Sequence, residues 1–187
     1  TRVLHIPSVR DRVVERAILN AVTPVVDPHL GPVSFAYRPG LGVREAVLSV
    51  ALLRDEGLNW VVRSDIDDCF PSVDVQGAWR RFSSLIGDPN VLSVVRLLLW
   101  RRSVGAGRGP RVLTGLAQGC ALSPLLTNLV LAEVDAQVLT AGFGIVRYAD
   151  DIVVAAATRD DASEALRCLA RAVEEVGMKL GADKTQI

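Results

Sequence analysis

Lysine is nearly missing from this chain: Lys179 and Lys184 are the only two, and arginine supplies the rest of its 21 basic side chains. Arginine's planar fork suits bidentate phosphate contacts, although an arginine-rich source composition yields the same bias. A surplus of either charge is missing too, since 21 acidic residues cancel the 21 basic ones. That argues against a surface that coats nucleic acid indiscriminately and leaves function to local charge. Cysteine is scarce. Cys69, Cys120 and Cys168 are too scattered for a zinc site and odd in number for a disulfide framework, which makes a reducing cytoplasm the default compartment. No apolar run approaches the roughly 18 residues of a membrane span, because Arg96 and Glu133 interrupt the two longest candidates. No internal repeat or low-complexity segment occurs. The chain opens on Thr1, not methionine, so a removed targeting segment stays open; it reads as a piece cut from a larger protein. Hydrophobic residues, by contrast, make up 50% of it. A length of 187 residues with that composition is a folded domain, or one domain and a fragment of another.

Two acidic stretches stand out. In the first, Ile145-Val146 and Ile152-Val153-Val154-Ala155 flank Arg147-Tyr148-Ala149-Asp150-Asp151. β-branched apolar runs on either side of a short polar centre predict a hairpin whose turn presents both acids at one sheet edge. Neighbouring carboxylates repel, so a hard divalent cation is the natural resident; a solvated Asp-Asp turn is the plain alternative for a lone pair. In the second, the apolar strand Trp60-Val61-Val62 runs through Arg63-Ser64 into Asp65. A carboxylate at a strand exit lies where open α/β sheets hold ligands, and with Asp150 it could hold two metals.

In order along the chain come Asp65-Ile66 followed by Phe70, Gln118-Gly119 with Ser123-Pro124, and Tyr148-Ala149-Asp150-Asp151. This succession resembles the palm of a reverse transcriptase, in particular the bacterial group II intron-like lineage. That lineage's helical signature resembles Asp11 to Ile18 here, and its fingers motif resembles Phe35-Ala36-Tyr37-Arg38-Pro39-Gly40. The resemblance implies an α+β fold: a palm with a four-stranded, mostly antiparallel sheet over 60–66, 143–148, 151–157 and 178–182, backed by helices, and a partial helical fingers region. Residues 1–59 would be partial fingers and 60–187 the palm, with the thumb absent. It implies an RNA-directed DNA polymerase core that adds deoxynucleotides to a primer 3′-hydroxyl by two-metal catalysis with magnesium, manganese being a substitute. Asp65, Asp150 and Asp151 would be catalytic and bind the metals, with the Ile66 carbonyl completing one shell. Arg2, Phe70, Gln118 and Lys184 would contact the nucleotide: Arg2 the triphosphate, Phe70 the space beside the sugar 2′ carbon, Lys184 the departing pyrophosphate. Arg38, Gly119, Tyr148 and Ala149 would face template or primer. Ala117 stands where the family has proline, and Asp67 and Asp68 add negative charge beside the metals; both are departures.

The remaining elements come from periodicity and punctuation. A helix is predicted over about Asp11 to Val22, with Val13, Ala17, Ile18 and Ala21 on its core face. Others are predicted over Val43 to Asp55, ending at Gly57, over Val75 to Ile86 with Ser72 or Asp74 as N-cap, and over Pro89 to Arg102. Residues 103–114 read as a hairpin whose Arg108 and Arg111 could reach nucleic acid. A helix opening near Pro124 and running to about Leu139 is apolar nearly all round and should be buried. A last helix covers Asp160 to Val176, with Gly177 as its cap. Arg44 at a helix start lines a template path or is simply solvated. Arg80, Arg81, Arg101 and Arg102 read as solvated faces, and His5 as a surface or packing residue.

Partners implied by the resemblance are an RNA template, a DNA or RNA primer, deoxynucleoside triphosphates and fused or associated domains, without a membrane, in a bacterial cytoplasm. Phe70 and the Tyr148-Ala149 pair favour this over an RNA-directed RNA polymerase. The intact Asp65, Asp150 and Asp151 favour it over a non-catalytic RNA- or protein-binding module on the same fold. Intron mobility, CRISPR spacer acquisition, diversity generation and phage defence all use such palms. The run Asp67 to Ser72 departs from the intron pattern and leans toward a CRISPR-associated relative.

Overall fold

The computed structural model describes residues 6–100, 102–103, 111–112 and 114–187, the two short pieces by backbone alone. The described residues divide by contact into two compact units, one made of those within 6–28 and 70–130, the other of 29–69 and 131–187.

In the first unit, α1 (Val9–Val26) starts at Ser8, whose hydroxyl accepts from the Asp11 N–H at 3.2 Å. It runs past the predicted end near Val22 and through Pro24; so near the C-terminus the missing N–H costs one ladder bond and not the helix. Its buried face also differs from the expected one. Val13 is 65% exposed and Ala17 and Ala21 are exposed, whereas Glu15, Val22 and Val26 are buried, with Ile18 and Leu19 half-buried. Those five positions follow helical spacing, but the stripe includes a carboxylate, which a hydropathy pattern steers away from. Helix α4 (Val75–Leu85) is capped by Asp74, which accepts from Gln76 N and Gly77 N. Helix α5 (Pro89–Leu99) is capped by Asp88 and ends before the expected Arg102. Strands β2 (Arg102–Ser103) and β3 (Arg111–Val112) pair antiparallel, as the hairpin expected over 103–114 requires, and Arg102, expected at a helix end, lies in β2 instead. The four-residue α3 (Cys69–Ser72) and the long α6 (Ser123–Thr140) each run across the unit boundary. Helix α6 has Leu125, Leu126, Leu129, Val130, Leu131, Val134 and Val138 all buried, as its all-round apolarity requires.

In the second unit, the described sheet has the order β1 (Trp60–Asp65), β5 (Asp151–Ala156), β4 (Gly144–Tyr148), antiparallel throughout. Helix α2 (Val43–Asp55) packs on β4 and β5, and α7 (Arg159–Glu175) on β5 and β1. A reciprocal Thr158–Asp161 capping box starts α7, and Gly177 with φ 80° ends it. Val62, Ile145, Ile152, Val154, Leu169 and Val173 are all buried and form the core of this unit.

The fourth strand expected over 178–182 is reduced to isolated bridges, Ile66 to Leu180 and Arg63 to Gln186. Between them the C-terminal segment advances six residues while β1 advances three. The surplus is taken up by a 3₁₀ turn, Ala182–Lys184, which interrupts the ladder as a bulge does.

Candidate active site

The β4–β5 connection is a two-residue loop, since Tyr148 pairs with Asp151. Its first residue, Ala149, takes φ 60°, a conformation that costs a non-glycine residue about 1–3 kcal/mol and is held only where surroundings impose it. Arg147 imposes it: fully buried, it donates from Nη1 to the Ala149 carbonyl at 3.1 Å. Strand β1 carries Asp65 directly opposite Asp151, and the Ile66 N–H donates to the Asp150 carbonyl at 3.2 Å. Asp65, Asp150 and Asp151 therefore share one end of the sheet, as the two acidic stretches predict.

Asp65 is 7% exposed while Asp151 is exposed. The Lys184 ammonium donates to Asp65 Oδ2, and the Gly181 N–H to the Asp65 carbonyl at 2.9 Å. Asp65 Oδ1 is buried and accepts no hydrogen bond. A buried carboxylate oxygen is costly unless something polar meets it. Carboxylate oxygens are the ligands a hard divalent cation takes. Among the described residues, no group of three or more His, Cys, Asp or Glu side chains is placed to hold a metal ion.

Two neighbours of these acids were not singled out from the sequence. The buried Cys69 thiol is pushed up to about 12, first by burial and then by the charge of Asp150, with Asp65 adding to it and Arg147 opposing. The Tyr37 phenol is also raised, by burial and then by Asp150 and Tyr148; its backbone has φ 60°. Arg38, expected at the template, donates from Nη1 to the carbonyls of Gly31 and Ser34 and so ties its own loop. An open groove of about 770 Å³, lined among others by Val43, Val47, Val61, Tyr148, Val153 and Asp151, runs between α2 and the sheet.

The loop with Gln118 and Gly119 belongs to the first unit. Gln118 is half-buried, Gly119 exposed with φ 102°. The Leu116 N–H donates to the Phe70 carbonyl at 2.8 Å, and the Ser123 hydroxyl to the Ala117 carbonyl at 2.8 Å. Gly115 is required here: its φ is 71°, and a Cβ would stand 2.2 Å from the Pro71 carbonyl oxygen. Phe70 is half-buried. The expectations for Arg2, His5, Arg101 and Arg108, and for the side chains of Arg102 and Arg111, fall outside the described residues.

A model of the family "Reverse transcriptase (RNA-dependent DNA polymerase)" matches residues 1–187. The chain belongs to that family. Among its relatives, protein YkfC of Escherichia coli is 30% identical over 138 residues, which is 72% of this chain and 36% of YkfC. The group II intron-encoded protein LtrA of Lactococcus lactis is 27% identical over 74% of this chain and 23% of its own length. The retron Ec73 reverse transcriptase of Escherichia coli is 25% identical over 94% of this chain and 56% of that protein. The chain thus spans only part of each. In structure it is similar to telomerase from Candida albicans, with TM-score 0.65 and 13% identity over 95% of this chain and 34% of that one, a likeness of fold. It is also similar to a chain of a partial Cas6-RT-Cas1–Cas2 complex, with TM-score 0.50 and 29% identity over 94% of this chain and 31% of that one. No helix of the described residues is long and apolar enough to cross a membrane.

Proposed function

We propose that this chain is the catalytic core of an RNA-directed DNA polymerase, adding deoxynucleotides to a primer 3′-hydroxyl on an RNA template. The observation that carries the reading is the pairing of Asp65 with Asp151 beside Asp150. It supplies carboxylates from two adjacent strands at one sheet end, in a chain of the reverse transcriptase family. Residues 60–187 serve as palm and 1–59 as partial fingers in this reading.

Asp65 and Asp150, supported by Asp151 and the Ile66 carbonyl, would hold two magnesium ions, with manganese as a substitute. When bound, these ions supply charge neutralisation of the triphosphate and acidify the primer hydroxyl. The chain's own groups do the rest. The Phe70 ring fills the space beside the sugar 2′ carbon and leaves no room for a hydroxyl. Gln118 lies along the incoming nucleotide, and Arg2 takes its triphosphate. The Lys184 ammonium holds a proton for the leaving pyrophosphate. Arg38, Gly119, Tyr148 and Ala149 guide template and primer, and the groove lined in part by Tyr148 and Asp151 would take a strand end. We place the protein in a bacterial cytoplasm and, given its likeness to a Cas6-RT-Cas1–Cas2 chain, nearest to CRISPR-associated systems.

Primer extension by the protein and by its Asp150→Asn variant tests the reading. The substitution removes a metal charge from a turn and not from a core, so extension should vanish while circular dichroism stays unchanged. Activity within a few-fold of the parent would sink the assignment. A titration with magnesium, with and without primer–template, separates it from a binding module on a polymerase fold.

A further inference from the structure

Glu15 is the one charged side chain on the buried stripe of α1. The helix exposes Arg10, Arg12 and Arg16, yet Glu15 is 1% exposed. A carboxylate withdrawn from water that far must be met by strong donors. One of them is the backbone N–H of Ala121, donating to Glu15 Oε2 at 2.6 Å across 106 residues of sequence. Bonds from a backbone amide to an ionised carboxylate are among the stronger ones in proteins. Ala121 lies three residues beyond Gln118.

The loop around Gln118 is therefore held from both sides. Before it, the Phe70 carbonyl holds Leu116 and the Ser123 hydroxyl holds the Ala117 carbonyl; after it, Glu15 holds Ala121. Gly119, between the two anchors, has no side chain to pack and is exposed. A cavity of about 20 Å³, room for one water, lies beneath the loop against Glu15, Leu116, Ala117, Cys120 and Ser123. Shortening the side chain at position 15 enlarges that void and removes the second anchor together.

We propose that Glu15 is the positioning residue of the Gln118-Gly119 loop, fixing where Gln118 meets the incoming nucleotide. It touches no substrate and acts through the Ala121 amide. The proposal rests on the reading of Gln118 as a nucleotide contact. Misplacing a substrate-positioning group by an ångström costs up to about a hundredfold, so Glu15→Ala should raise the KM for deoxynucleotide on the order of tenfold, with a smaller change in kcat. Glu15→Gln, which retains an acceptor oxygen at the same reach, should restore most of it. Val22→Ala, a cavity in the same helix at a buried position, should lower Tm without moving KM.

The test pairs steady-state primer extension with amide hydrogen exchange over 117–123 in the same proteins. Faster exchange at that loop in Glu15→Ala, a raised KM and recovery in Glu15→Gln are expected. Unchanged loop protection overturns the anchor whatever the polymerase does. Lost protection with an unchanged KM, or a KM moved equally by Val22→Ala, overturns the positioning role. A parent protein that extends no primer overturns the polymerase reading instead, and the exchange result then decides the anchor by itself.

Discussion

Arg147 and Asp135 form a buried bidentate ion pair: Nε donates to the two carboxylate oxygens at 2.9 and 3.1 Å, and Nη2 to Oδ2 at 2.8 Å. Both side chains are essentially out of water, at 0% and 3% exposure. The same guanidinium holds the Ala149 carbonyl, so helix α6 is tied through one arginine to the turn that carries Asp150. Removing one member of a buried pair strands the other charge and costs about 3–5 kcal/mol, whereas exchanging both for apolar residues is often neutral. Asp135→Ala should accordingly lose that much in urea unfolding, and Arg147→Met with Asp135→Leu should recover most of it. A loss below about 1 kcal/mol for the single variant, the range of surface pairs, would show the pair to be ornamental.

Phe70 gives the reading of sugar choice its own test. Because an apolar pocket rejects an added hydroxyl by only about a hundredfold, Phe70→Val should narrow the preference for deoxy- over ribonucleotides by on the order of tenfold. Competition between the two in primer extension measures this ratio. An unchanged ratio would make Phe70 a packing aromatic of α3 and no more.

The candidate site was more legible in sequence than its supports were. Short β-branched apolar runs around Asp150-Asp151 and before Asp65 give the strands, because such a run bounded by polar residues needs no knowledge of the partner strand. Helix α2 is found at Val43–Asp55 as its punctuation predicts. Arg147 faces the interior with Ile145, two residues away on the same strand face, but its partner Asp135 lies on another element, which local pattern does not reveal. Glu15 was hidden for the opposite reason, since a charged residue on α1 reads as solvent-facing. The last strand failed because its continuity depends on Lys184 meeting Asp65, and the three residues of the turn break the alternation that would mark a strand.

Cys69 supplies a pH dependence. Its thiol is raised from the ordinary 9.0 to about 12 by burial and by Asp150, so the folded state keeps the proton longer than the unfolded one. The stability this represents is complete below pH 9 and is lost as pH climbs from there toward 12. Thermal unfolding between pH 8 and 11 should show a decline that is shallower in Cys69→Ala. At pH 8 the native thiol should resist alkylation until denaturant is added, because the thiolate is the nucleophile. Rapid native alkylation at that position would contradict both statements.

Gly181 separates close approach from backbone strain at the acidic site. Its φ of −69° is open to any residue, yet a Cβ there would stand 2.3 Å from Asp65 Oδ1. That oxygen is the buried one without a hydrogen bond, and the proposed function makes its carboxylate a metal ligand. Gly181→Ala must therefore turn the Asp65 carboxylate or lift the segment whose N–H holds the Asp65 carbonyl. A displaced ligand of that kind should lower primer extension on the order of tenfold or more and raise the magnesium concentration needed for half-maximal activity. The Tm should fall by only a few degrees, as about 1 kcal/mol does in a chain of this length. Gly87→Ala is the control, because nothing lies within 4 Å of a Cβ there. Manganese binding followed by electron paramagnetic resonance gives a readout independent of turnover, and Gly181→Ala should weaken it relative to Gly87→Ala. If the two variants agree in metal binding and in extension, the approach of Gly181 to Asp65 does not shape the site.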